Sequence, residues 1–174
     1  MNKLLAVFVL FITVSMVMAQ ATTPAVKGSL WENLPKSSGY VNDFEHLFSE
    51  EEKIQLTDLL IKFDMETSIE VAIVTISPEN TPKDRFEELT LHIAKQWGVG
   101  KQSKNNGILI GISSGYHRIR IQNADGIVKV LSDAETRKII EEVFIPEFKE
   151  NKYFNGTLNG LKEIMKMLKE RLNK

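Results

Sequence analysis

The 174 residues carry 22 Lys and Arg against 23 Asp and Glu, with no cysteine. A net charge of −1 gives no electrostatic reason to expect nucleic acid or an anionic membrane surface as a partner. Without cysteine there is no disulfide, no thiol nucleophile and no thiolate metal site.

In chain order, a single cation, Lys3, precedes an apolar run from Leu4 to Val17 that is closed by the small residues Ala19 and Ala21. A charged start, an apolar stretch too short to span a bilayer comfortably and a small-x-small exit describe a secretory signal peptide over residues 1–21. The mature chain is expected to begin at Gln20 or Thr22, periplasmic or extracellular, with no membrane segment left after cleavage. Residues 22–38 hold Pro24, Gly28, Pro35 and several hydroxyls without sustained periodicity. They read as a flexible leader in which Trp31 and Leu34 pack locally. Residues 39–174 then form one α/β domain.

Ser49 and Glu52 form a capping-box pattern, and Leu56, Leu59, Leu60 and Phe63 follow at helical spacing to about Glu66. The run from Ile69 to Ile76 is apolar on both faces, as a doubly covered strand is. Thr81-Pro82 opens a second helix with Phe86, Leu89, Ile93 and Trp97 inside, closed by Gly98. Ile108 to Ile112 predicts a strand parallel and adjacent to the first, joined to it by a right-handed crossover. Ser113-Ser114-Gly115 turns the chain into His117 to Gln122, where Ile119 and Ile121 alternate with Arg118 and Arg120 as on an antiparallel edge. Ile127 to Leu131 suggests a further short strand. Ser132 and Glu135 start a third helix that Pro146 disrupts, and Leu158, Leu161, Ile164, Met165 and Leu168 mark the last. This order predicts a three-layer α/β/α sandwich around a small mixed central sheet.

No phosphate loop is present: Gly98-Val99-Gly100 lacks the third glycine, and no Gly-Lys-Ser/Thr element occurs. There is no Gly-x-Ser-x-Gly elbow. His46, His92 and His117 have no zinc-ligand spacing. No catalytic residue and no organic cofactor are assigned on this reading.

Asp43 within Val41-Asn42-Asp43, then Trp97-Gly98-Val99-Gly100, Asn106-Gly107-Ile108-Leu109-Ile110, Leu131-Ser132-Asp133 and Ile145-Pro146-Glu147-Phe148 occur in order, followed by Tyr153 and Gly156. This ordered set resembles the TPM domain family of plant thylakoid lumen proteins and their relatives, over about Gly39 to Leu168. The resemblance implies a Rossmann-like α/β/α sandwich outside the cytoplasmic membrane, an acidic cleft for calcium or another divalent cation, and a phosphatase activity attached to a plant member. Asp43 and Asp133 match acidic positions of the family. Its Asp-Asn-Gly stands here as Asn105-Asn106-Gly107, and its Gly-x-Gly-Leu-Glu as Ala124-Asp125-Gly126-Ile127-Val128, so two carboxylates are lost and Asp125 is gained.

Asp43, Asn105, Asp125 and Asp133 are therefore the candidate metal residues, with calcium preferred over zinc because they offer oxygen only. For them to share an ion, their loops must converge at one end of the sheet, with the 98–107 loop folding back. Each also has a plainer role. Asp133 sits where a helix start favours a carboxylate, and Asp125-Gly126 and Asn105-Asn106-Gly107 are ordinary turn sequences. Arg118 and Arg120 are candidate phosphate forks or simply a solvated strand face. Three functions stay open: a calcium-responsive module binding an unidentified envelope protein, a low-activity metal-dependent phosphatase, and an interaction domain that has lost the metal. A monomer is expected.

Overall fold

The structure, a computed structural model, describes residues 29–100 and 105–172; the expected signal peptide lies outside them. Strand β1 (Val41–Asp43) leads into helix α1 (Glu50–Thr67), strand β2 (Glu70–Thr75), helix α2 (Phe86–Trp97) and the hairpin of β3 (Gly107–Ser113) and β4 (Arg118–Asn123). A short helical turn α3 (Asp125–Val128) precedes α4 (Asp133–Ile139), a π-helical segment (Ile140–Phe144), α5 (Ile145–Lys149) and the long α6 (Tyr153–Leu172). The capping box of α1 forms as the sequence reads: the Glu52 N–H donates to Ser49 Oγ at 3.2 Å and the Ser49 N–H to Glu52 at 2.8 Å. A second box at Ser132 and Glu135 starts α4 in the same way.

The four strands lie in the order β1-β2-β3-β4, the first three parallel and the last antiparallel. Val71 and Ile73 of β2, with Ile108, Ile110 and Ile112 of β3, pack against α1, α4 and α6. Ala72, Val74 and Leu109 pack on the other face against Phe86, Leu89 and Ile93 of α2. Two helical layers thus enclose the sheet, giving the α/β/α sandwich. Since β1, β2 and β3 run parallel in sequential order while α1 and α2 cover opposite faces, the two crossovers have opposite hands. One of them departs from the right-handed rule.

One strand is added to the expected set and three local readings change. The first strand, β1, has only three residues in an intermediate, buried, intermediate pattern, too short to show alternation. Residues 127–131 are not a strand: Leu131 and Val130 donate back to Ile127, which closes helical turns. Thr81 does not cap α2. Its hydroxyl instead accepts from Trp31 Nε1 at 3.2 Å, and a 3-10 turn over Lys83–Arg85 leads into the helix. Pro146 does not end the third helix. The preceding turn widens so that the Ile145 N–H reaches the Ile140 carbonyl, and this π turn carries the helix past the proline to Lys149.

Residues 29–38 of the expected leader pack onto the domain. Leu30 is buried with α2, and the Trp31 ring lies 4.2 Å from the Arg85 guanidinium and 5.0 Å from His92. The packed body therefore begins before Gly39. On the opposite face, Gly156 and Gly160 of α6 leave room for Phe148 and Phe144; a Cβ on Gly160 would stand 2.0 Å from the Phe144 ring.

Candidate functional site

At the carboxyl end of the parallel strands, Asp43 is fully engaged in its own loop. It accepts from the Leu47 N–H at 3.0 Å, the Phe48 N–H at 2.9 Å and the Thr75 hydroxyl at 2.6 Å. Thr75 in turn accepts from the Glu45 N–H at 2.8 Å. A hydroxyl hydrogen-bonded to a carboxylate has the form of an activated nucleophile, but Thr75 is wholly buried and no substrate can reach it. Beside it, the Ser114 N–H donates to Glu45 at 2.9 Å and its hydroxyl lies 3.3 Å away. Burial raises the Glu45 carboxyl above its ordinary value, partly offset by these bonds to the 114–115 turn. The bonds to the Glu45 carboxylate come from adjacent groups of one turn, which is how a carboxylate braces a turn.

The other metal candidates lie elsewhere. Asp43 pairs with Thr75 at the end of β2, whereas Gly107, two residues after Asn105, pairs with Glu70 at its beginning. The length of β2 between them is about 17 Å. The Gly126 N–H donates to the Asn105 carbonyl at 2.9 Å, so Asn105 and Asp125 share a cleft of about 350 Å³ with Gly98, Val99 and Gly100. Asp133 lies by the outer edge of β4, near Arg120 and Ile121. The required convergence does not occur: Asn105 precedes β3, at the opposite end of the sheet from Asp43. Among the described residues no three His, Cys, Asp or Glu side chains group as a metal set. A calcium ion takes six to eight oxygens, and neither end offers them from these four residues.

What the fold does assemble is a groove along β4. Its main part, about 740 Å³, is lined by Phe86 and Glu87 of α2, His117, Arg118 and Ile119, and then Ile140, Ile145, Phe148, Lys149 and Tyr153 from the opposite layer. A recess of about 290 Å³ continues it past Arg120, Ile121, Asp133, Thr136 and Arg137, sharing Glu87, Ile119 and Ile140. Arg118, Arg120, Arg137 and Lys149 face two carboxylates, Glu87 and Asp133, and none of the four cations joins an ion pair among the described residues. Arg118 donates to the Lys83 carbonyl at 3.2 Å, while the buried Arg120 Nε has no partner among the described residues. Burial, and then the charge of Glu45, raise the Tyr153 hydroxyl at the groove's end above its usual range. The Arg-x-Arg alternation was legible in sequence. Lys149, Arg137 and the apolar floor were not, because they come from a separate segment.

The comparisons agree with this architecture. A family model described as the TPM domain matches residues 41–167. The N-terminal domain of a protein from P. gingivalis is 28% identical, with TM-score 0.70 over 79% of this chain and 86% of that one. The BA42 protein of Bizionia argentinensis superposes with TM-score 0.63 at 18% identity, covering 74% of this chain and 86% of its own. The N-terminal domain of a Corynebacterium glutamicum protein does so with TM-score 0.56 at 12% identity, over 82% and 88%. No protein of curated function matches the chain.

Proposed function

Because the chain belongs to the TPM domain family, we propose that it is a protein-binding module of the cell envelope whose binding surface is the groove along β4. The observation that carries this reading is the groove itself: an apolar floor rimmed by four unpaired cations and two carboxylates. Apolar area drives association, while a rim with a net positive charge selects and steers the partner. Export, argued from residues 1–21, would deliver the module to the envelope.

Hydrolysis has less support. The shortest hydroxyl–carboxylate hydrogen bond among the described residues, Thr75 to Asp43, is sealed from solvent, and the oxygen donors are divided between distant parts of the sheet. Calcium enters this reading only as a weak ligand, no tighter than about millimolar, the range of sites with few charges.

A photo-crosslinking residue at Lys149 should capture a protein partner in the exporting cell, whereas one at exposed Asp58 on α1 should not. Equal labelling from the two positions overturns the reading. Fast phosphomonoester turnover, lost in Asp43→Asn with the fold intact, would restore the hydrolase.

A further inference from the structure

The free edge of the sheet lies along this groove, and its hydrogen-bonding pattern narrows what fits there. Ala124 donates to the Gly107 carbonyl at 2.9 Å, which extends the ladder in which Leu109 faces Gln122, Gly111 faces Arg120 and Ser113 faces Arg118. In an antiparallel ladder, hydrogen-bonded pairs alternate with unbonded ones. Residues 118, 120, 122 and 124 therefore direct their backbone groups to β3. The N–H and C=O groups of Ile119, Ile121 and Asn123 point away from it and have no partner among the described residues. Two of the three buried side-chain polar atoms without a partner among the described residues, Arg120 Nε and Asn123 Oδ1, also belong to β4.

We propose that an extended acidic segment of another protein adds to β4 as a fifth strand, with carboxylates alternating with apolar side chains. This rests on the β4 groove being the binding surface, and it specifies the occupant. An added strand places alternate side chains on opposite faces of the sheet. Those opposite Arg118 and Arg120 share the face of α2, where Gln122 reaches Glu87 and Thr90. There, two guanidiniums select carboxylates. Those opposite Ile119 and Ile121 share the other face, walled by Ile140, where apolar side chains belong.

A second copy of this chain escapes like-charge contact in the register centred on Ile121, where Arg120 faces Gln122, so a dimer in solution paired in that register overturns the proposal. Centring on Ile119 sets Arg118 against the other copy's Arg120, and centring on Arg120 sets the two Arg120 side chains together. Like charges directly across a ladder destabilise it. The competing account is that Arg118 and Arg120 only guard the edge against pairing.

The probe is a synthetic peptide as long as β4, blocked at both ends, with alternating Glu and Val. Titrated into the protein, it should shift the amide signals of Ile119, Ile121 and Asn123 and slow their hydrogen exchange. Replacing its Glu by Lys should weaken binding by more than about tenfold, as should Arg120→Glu in the protein. Methylating the peptide nitrogens that would face β4 should abolish it. Ile119→Pro should abolish it too, because that substitution deletes only an outward N–H and leaves the ladder to β3 intact. If Ile119→Pro fails to fold, the methylated peptide decides on the native protein. Equal affinity for the Lys peptide, equal affinity for the methylated peptide, or shifts confined to residues away from β4 each overturn strand addition. Crosslinks from position 149 that persist alongside such a result would leave the groove as the surface for a folded partner.

Discussion

On one face of the sheet, α1, α6 and the continuous helix of residues 133–149 bury a core that runs from Phe63 to Phe144 and Leu168. On the other, α2 stands alone over Ala72, Val74 and Leu109, helped by Leu30 and by Trp31 and Leu34 at its rim. The thick layer is locked by shape, with two aromatic rings seated over the glycines of α6. The thin layer is completed by a stretch that belongs to no regular element. Neither layer extends far enough to close over β4, so the groove opens at the seam between them, with Glu87 on one lip and Ile140 on the other. Buried apolar residues concentrate on one face, and the open groove follows from the mismatch in the widths of the two layers.

The sharpest way to break this comparison is to empty the thick layer. Phe144 is wholly buried, so Phe144→Ala should cost about 3–5 kcal/mol in urea unfolding. Gly160→Ala should cost about 1–3 kcal/mol by forcing the ring aside. It should add little on the Phe144→Ala background, because the clash goes with the ring. Full additivity of the two would mean that ring and glycine do not form one lock. On the thin face, Trp31→Ala loses its contacts to Arg85 and His92 and the hydrogen bond to Thr81, for about 1–2 kcal/mol. A loss equal to that of Phe144→Ala would show the two faces to be equally important.

The difference between the layers also explains what the sequence could and could not disclose. Helices α1, α4 and α6 announce themselves through capping boxes or apolar spacing, and β2 and β3 through continuous apolar runs, because those signals are local. Strand β1 escapes because three residues carry no period, and Leu30 because its burial depends on α2, more than fifty residues away in the chain. Pro146 misleads because a π turn is a tertiary accommodation rather than a sequence signature. For the site, Arg118 and Arg120 are legible from strand alternation. The dispersal of Asp43 from Asn105 and Asp125 is not, since it depends on strand register and on which end of β3 a loop precedes.

The smallest effect expected is in acid, and it tests how the thick layer is clamped at its rim. The Arg171 guanidinium of α6 grips Glu135 of α4 at 3.0 and 2.6 Å, and Ser132 adds its hydroxyl and N–H at 2.8 and 3.0 Å. Arg171 first, then Ser132, lower the Glu135 carboxyl from 4.5 to about 2. A carboxylate with a depressed folded pKa stabilises the fold at pH above the unfolded value of 4.5 and loses that contribution as pH falls toward 2, because the unfolded chain then binds the extra proton. Glu45 has the opposite sign: burial raises its pKa, so its protonated form favours the fold below 4.5 and that advantage fades as pH rises through the raised value. Glu135→Gln should therefore flatten the acid limb of the melting temperature against pH between about 4.5 and 2, whereas Glu45→Gln should remove a loss of stability with rising pH just above 4.5. The Glu135 effect should shrink in high salt, since its side chain is 37% exposed. An unchanged acid limb in Glu135→Gln would mean that the α4–α6 rim is held by its apolar contacts, with the ion pair contributing nothing measurable.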